Sequence, residues 1–183
     1  MDFNYHKKFN LICEKCNCIS EHSVSVFYDN IEVAKDFYME FTNEYYCKNC
    51  NEVTFQFDVE PRIAKSVRLL RLHGYDTRFS CEGHSKLIND KGKLSHNTSF
   101  PYICFVEKEL PDNFERIINN YGWRLERHIL DDENILRLGY TYYFEGDESD
   151  VEEYVNKHNE KFIEADKKLF RALLEAFIEE LPE

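Results

Sequence analysis

Two Cys-x2-Cys pairs, Cys13-Glu-Lys-Cys16 and Cys47-Lys-Asn-Cys50, constrain the first third of the chain more than any other feature. Each tight turn of this kind aims two sulfurs at one point, and two such turns complete the tetrahedral thiolate set that Zn²⁺ prefers. The residue after each second cysteine is asparagine, Asn17 and Asn51. Asparagine accepts a left-handed backbone more readily than other non-glycine residues, which suits the exit from a knuckle. The matched pairs predict a zinc ribbon with Cys13, Cys16, Cys47 and Cys50 as ligands. The metal is expected to be structural, because four thiolates leave no coordination position for water.

The chain holds seven cysteines, an odd number, and carries a formal charge of -12. Cysteines spaced as knuckles in an odd count point to metal ligation in a reducing compartment rather than to a disulfide framework. No apolar run approaches the ~20 residues that span a bilayer, and Met-Asp-Phe-Asn-Tyr-His-Lys-Lys lacks the basic-then-apolar order of a signal peptide, so the expectation is a cytoplasmic protein away from membranes. The acidic balance argues against broad, charge-driven nucleic-acid binding, and a zinc tetrathiolate adds two further negative charges.

The expected organisation is a ribbon over residues 1–59 and a main domain over 60–183. Between the knuckles, His22, Val24, Val26 and Tyr28 alternate and a second apolar-rich run extends from Phe37 to Tyr46, which suggests an extended hairpin insert. Cys18 reads as a bystander thiol. Val53 to Val59 alternates as a strand leaving the ribbon. Pro61 opens a helix whose stripe is Ile63, Ala64, Val67 and Leu70, and Gly74 ends it. Tyr75, Thr77, Phe79 and Cys81 then alternate with polar residues as a half-buried strand. Ser85 to Phe100 reads as a long connection, a candidate lid, with Asn89-Asp-Lys-Gly92 as a turn inside it.

Tyr102 to Val106 is a strand, and Pro111 to Tyr121 a helix with Phe114, Ile117 and Ile118 inward. Trp123 to Ile129 and Ile135 to Phe144 form a hairpin over Asp131 to Asn134, with Leu136, Leu138, Tyr140, Tyr142 and Phe144 on one face. Glu145 to Glu153 is a solvated link or the start of the last helix. That helix carries Phe162, Ile163, Leu169, Phe170, Leu173, Leu174, Phe177, Ile178 and Leu181 at helical spacing, for packing on the protein's own sheet or as a homodimer seam. The fold class is α+β: an antiparallel sheet covered by helices, close to a split βαβ arrangement, with the ribbon at its N-terminal side.

Arg62, Lys65, Arg68 and Arg71 recur along the first helix and Arg78 follows on the next strand. They make a cationic surface for phosphate or carboxylate, or a solvated face paired with the chain's own acids. At the turn Ser80-Cys81-Glu82-Gly83-His84, Gly83 brings His84 back toward Cys81. Four readings are open: a buried cysteine, a thiolate nucleophile beside an imidazole, half of a second zinc site completed by two of His96, Cys104 or His128, or an anion or nucleotide pocket beside the arginines.

This turn, after a helix ending in Gly-Tyr and before the strand Tyr102 to Val106, resembles that of small phage and low-GC Gram-positive proteins. Over the same five positions it is also similar to the turn of the wybutosine-synthesis tRNA methyltransferase family, Ser-Cys-Ser-Gly-Arg, with Ser80, Cys81 and Gly83 in common. Glu82 and His84 stand where that family has Ser and Arg, and an N-terminal ribbon is not part of its pattern. The resemblance implies a nucleotide or nucleic-acid pocket at the turn.

No nucleophile, base and orienter set, phosphate-cradling glycine loop or open metal site can be read from the residues. The expected function is therefore a zinc-stabilised, non-catalytic binding or regulatory protein; the resemblance implies one encoded by a phage and acting on a host protein or a defence system, with a small anionic or nucleotide ligand as the other expected partner. Its site is expected at Arg78, Ser80, Cys81, Gly83 and His84 with Arg68 and Arg71. The alternative is a nucleotide- or RNA-directed enzyme using Cys81 and His84.

Overall fold

The computed structural model describes residues 3–28, 44–142 and 150–178. Its contacts divide the chain into two compact units, Met1–Ala64 and Lys65–Glu183. The fold is α+β, with antiparallel sheets and, among the described residues, three helices. None of these helices is long and apolar enough to cross a membrane.

The first unit holds β1 (Phe3–Cys13), β2 (Ile19–Tyr28), β3 (Glu44–Cys47) and β4 (Glu52–Val59), in the sheet order β2-β1-β4-β3. Each Cys-x2-Cys pair lies at the turn of one hairpin. β1 and β2 pair without a break from Phe3↔Tyr28 to Ile12↔Ile19, and β3 and β4 pair from Glu44↔Phe55 to Cys47↔Glu52. The two hairpins join where Asn10 to Cys13 pair with Val59 to Gln56. The expected hairpin within the insert is thus corrected: β2 pairs backward across the first knuckle, and β2 and β3 occupy opposite edges of the sheet. A tight turn already holds β1 and β2 together, so their pairing needs little loop closure. Residues 29–43, with most of the Phe37 to Tyr46 run, lie outside the described residues.

Pro61 to Ile63 form a turn leading into α1 (Ala64–Leu72), in which Val67 and Leu70 are buried. Gly74, at φ 78°, stops it: its amide donates to the Arg71 carbonyl at 2.9 Å and the Tyr75 amide to the Leu70 carbonyl at 3.1 Å. That pair of bonds satisfies carbonyls the helix would otherwise leave open, and it needs a residue tolerant of positive φ.

The second unit continues through β5 (Thr77–Cys81), β6 (His84–Asp90), β7 (Lys93–Ser99), β8 (Tyr102–Val106), α2 (Phe114–Asn120), β9 (Trp123–Leu130), β10 (Glu133–Tyr140) and α3 (Val151–Ile178). β5, β8, β10 and β9 form a four-stranded antiparallel sheet in that order. Its inner face, with Ile103, Phe105, Leu136, Leu138, Tyr140 and Trp123, is buried. Trp123 Nε1 donates to the Ala165 carbonyl on α3 at 3.0 Å. Phe114, Ile117 and Ile118 of α2 are buried as expected, and the Phe177 ring lies 4.0 Å from His73 and 5.8 Å from both Tyr75 and Phe114.

Three expectations for this unit change. The stretch Ser85 to Phe100 is no loose connection: β6 and β7 pair along their whole length over a two-residue turn, Lys91 and Gly92, both at positive φ, and the hairpin packs on α3. On β5 the period-two pattern fails. A bulge between Thr77 and Phe79 turns Phe79 outward, 53% exposed, while Tyr75 is buried. Along α3, Phe162, Leu169, Leu173 and Phe177 are buried together with Ala165, Ala172 and Ala176, whereas Ile163 and Leu174 are exposed. The helix begins at Val151, with Asp150 Oδ1 accepting from the Glu153 amide at 3.0 Å as an N-cap. Phe144, most of Glu145 to Glu153 and Leu181 lie outside the described residues.

Candidate metal centre and the Cys81 turn

Four sulfurs converge at the knuckles. Cys13 Sγ lies 3.9 Å from Cys50 Sγ and Cys16 Sγ 3.7 Å from Cys47 Sγ, and all four fall within 4.8 Å of one another. A tetrahedral ion with metal–sulfur bonds of about 2.3 Å separates its ligands by about 3.8 Å, so the cluster could hold a metal ion with little movement. The local backbone explains the convergence. The Asn17 amide donates to the Cys13 carbonyl and the Asn51 amide to the Cys47 carbonyl, both at 2.8 Å, and both asparagines adopt positive φ, 54° and 60°. The knuckles are therefore near copies in conformation as well as in sequence.

Electrostatics favour an anionic sulfur here. Burial pushes the Cys16 thiol up, but hydrogen bonds from the Asn49 side chain and the Cys18 amide outweigh it and bring it down to about 6. Cys50 is raised, chiefly by its hydrogen bond to Cys16, so the proton stays on the second sulfur of that pair. Lys15 is paired with Glu52 across the two knuckles, and that bond holds its ammonium above the usual lysine range. Cys18 is not one of the four. It lines, with Ile19, Tyr46 and Cys47, a cavity of about 500 Å³ beside the second knuckle.

At the end of β5, Cys81 and His84 meet: Cys81 Sγ lies 3.8 Å from His84 Nδ1, and the Gly83 amide donates to the sulfur at 3.4 Å. Gly83 sits at φ 73°, and a Cβ there would come within 2.5 Å of the Pro101 ring. The turn is thus closed by a residue without a side chain packed on a proline. Cys81 and His84 are half-buried, as is Ser80, which pairs with Ile103 of β8.

The arginines gather elsewhere. Arg71 reaches Asp76 at 3.4 Å and Thr77 Oγ1 at 3.4 Å, and Arg78 reaches Asp76 at 3.1 Å and Glu133 at 3.3 Å. Their meeting point is the start of β5, whereas Cys81 ends it, roughly 13 Å along an extended strand. Arg68 is exposed on α1. None of His96, Cys104 or His128 joins Cys81 and His84 in a cluster of ligand atoms within 4.8 Å. The His96 ring lies tilted against that of Tyr154 at 4.2 Å, His128 lies 3.4 Å from Glu126, and Cys104 pairs with Arg137 in the sheet register, its thiol pushed up by burial. The expected lid over the turn is the β6-β7 hairpin, held on α3.

The outer face of the four-stranded sheet escaped the sequence reading. Directly paired positions share a face, and the rows Phe79, Cys104, Arg137, Glu126 and Cys81, Tyr102, Gly139, Arg124 run across it. The only sequence signal was polar residues alternating with apolar ones on β9 and β10, which reads as solvated surface. Compared with protein-family models, curated proteins and solved structures, the chain finds no match.

Proposed function

We propose that the protein is a zinc-stabilised, non-catalytic binding protein, in which Cys13, Cys16, Cys47 and Cys50 hold one Zn²⁺ as a zinc ribbon. The observation that carries this reading is the convergence of four sulfurs within 4.8 Å from two matched knuckles. With four thiolates as ligands the zinc has no site for water or substrate, so it supports a fold rather than a reaction. The Ser80 to His84 turn, in the second unit, is the candidate contact for a partner, a host protein or a small anionic ligand. Metal analysis of the purified chain tests the first part, with one zinc per chain expected and none overturning it. Loss of a captured partner in His84→Ala, with the fold intact, tests the second, and retention in that variant moves the site elsewhere.

One observation favours a second reading, a nucleotide- or RNA-directed enzyme: the thiol of Cys81 lies 3.8 Å from an imidazole and is half-buried rather than enclosed. An imidazole at that distance can take a proton from the sulfur. Iodoacetamide then labels Cys81 faster than Cys104, and His84→Ala removes the difference. Equal labelling rates in the unaltered protein leave the pair structural.

A further inference from the structure

The outer face of the β5-β8-β10-β9 sheet displays two aromatic rings and two guanidinium groups in adjacent rows. Phe79, on edge strand β5, is 53% exposed although it is a large apolar side chain. Tyr102 lies diagonally across from it on β8, since Phe79 pairs with Cys104 and Cys81 with Tyr102. Diagonal neighbours on adjacent strands are about 7–8 Å apart, so both rings can be covered by one extended ligand.

Arg137 is held in place on this face. Its Nη1 donates to Glu126 Oε2 at 2.7 Å, and its guanidinium lies 5.1 Å from the centroid of the Tyr102 ring. It reaches that position by crossing Gly139, where a Cβ would come within 2.9 Å of Arg137 Nη1. Arg124, in the same row as Gly139 and Tyr102, is exposed and has no acidic partner among the described residues. The acid on these two rows is Glu126, already engaged by Arg137 and by His128 at 3.4 Å. The rows are therefore locally cationic within a chain of formal charge -12.

We propose that this sheet face is a stacking platform for single-stranded nucleic acid, with one base on Phe79, the next on the Tyr102–Arg137 pair, and phosphates taken by Arg124 and Arg137. A four-stranded sheet with aromatic rings on neighbouring strands, one of them the exposed Phe79, is suited to unstacked bases, because the ring faces and guanidinium planes match the flat faces that a single strand exposes and a duplex hides. The contact is local. Two guanidinium groups engage few phosphates, and the acidic remainder of the molecule repels a long or double-stranded polyanion. The inference goes beyond the zinc-stabilised binding reading, and since no residue of the cysteine cluster enters it, either can fail while the other holds.

The test is fluorescence anisotropy of the full chain with a labelled ten-nucleotide oligouridylate, a matching oligothymidylate and a ten-base-pair duplex at low salt. Both single strands bind and the duplex does not. Phe79→Ala weakens binding between about fivefold and a hundredfold, the range for losing one stacked base, while Phe79→Trp retains it. Arg124→Ala weakens binding and lowers the slope of log affinity against log salt by about 0.7, the value for one single-strand phosphate contact. Because Phe79 and Arg124 are exposed, these variants keep the fold. The proposal is overturned by no binding of either single strand, by duplex binding as tight as single-strand binding, or by unchanged affinity in Phe79→Ala.

Discussion

Asn159 serves Ser85 as a neighbouring strand would: the Ser85 amide donates to Asn159 Oδ1 at 2.8 Å, and Asn159 Nδ2 donates back to the Ser85 carbonyl at 2.9 Å. One side chain on α3 thereby satisfies both backbone groups of a buried residue at the root of the β6-β7 hairpin. Ser85 Oγ and Thr98 Oγ1 add a cross-strand hydrogen bond at 2.7 Å. A two-stranded hairpin is marginal by itself in water, so this docking gives the hairpin its fixed place.

Asn159→Leu keeps the bulk and removes both bonds. Two buried backbone groups then lose their partners, at about 1–3 kcal/mol each, and the expected loss in chemical denaturation is about 2–6 kcal/mol. Hydrogen exchange locates it: amides of β6 and β7 exchange faster while those of β8 and β10 keep their relative protection. Uniform loss of protection over the whole unit sinks this account.

Gly83→Ala places a side chain where φ is 73° and the Pro101 ring stands 2.5 Å from the new carbon. Backbone strain and the clash add, and a loss of about 2–4 kcal/mol is expected in thermal or chemical unfolding. Gly92→Ala at the tip of the β6-β7 hairpin is the control. Its φ is also positive but nothing lies within 4 Å, so it costs only about 1 kcal/mol.

Tyr142 has a buried hydroxyl with no hydrogen-bond partner among the described residues, and burial pushes its phenol up to about 12. Between the ordinary value of 10.0 and about 12, the unfolded chain releases this proton and the folded chain keeps it. Stability from this group is therefore complete below 10.0 and falls as pH rises toward about 12. Tyr142→Phe removes the unpartnered hydroxyl, so stability at neutral pH is unchanged or rises by up to about 1–2 kcal/mol. Its alkaline loss becomes shallower. A variant less stable than the parent at pH 7 means that the hydroxyl makes a favourable contact.

Zinc content should fall with pH, because protons compete for the thiolates. Below about 6, where Cys16 itself protonates, that thiol alone weakens zinc binding by about tenfold per pH unit. Cys47→Ser removes one sulfur and leaves well below one equivalent of metal after dialysis. A chelator should then unfold the β1-β4 sheet in the parent protein, since binding free energy at such sites is folding free energy. Full zinc content in Cys47→Ser, or a sheet unmoved by chelation, contradicts the assignment.

Short-range signals in the sequence were sufficient for several features. The spacing of Cys13, Cys16, Cys47 and Cys50 located the sulfur cluster, and the asparagines after each pair anticipated the positive φ of Asn17 and Asn51. Gly74 marked the end of α1, and the Asp131 turn and the Phe162, Leu169, Leu173, Phe177 stripe marked a hairpin and a buried helix face. Each rests on backbone preferences or on periodicity within a few residues, which act wherever that segment sits.

Only the tertiary structure decided the rest. Ser85 to Ser99 is too polar to read as strands, and it forms them because α3 offers Asn159, 74 positions along the chain from Ser85. The pairing of β1 with β4, the outward turn of Phe79 at a bulge, and the rows that bring Phe79 and Tyr102 beside Arg137 and Arg124 likewise depend on which strand lies next to which. The arginines expected beside the Cys81 turn gathered at Asp76 for the same reason. Alternation within a strand fixes which residues share a face, but the choice of neighbouring strand, and of which face is covered, comes from long-range packing that no local pattern encodes.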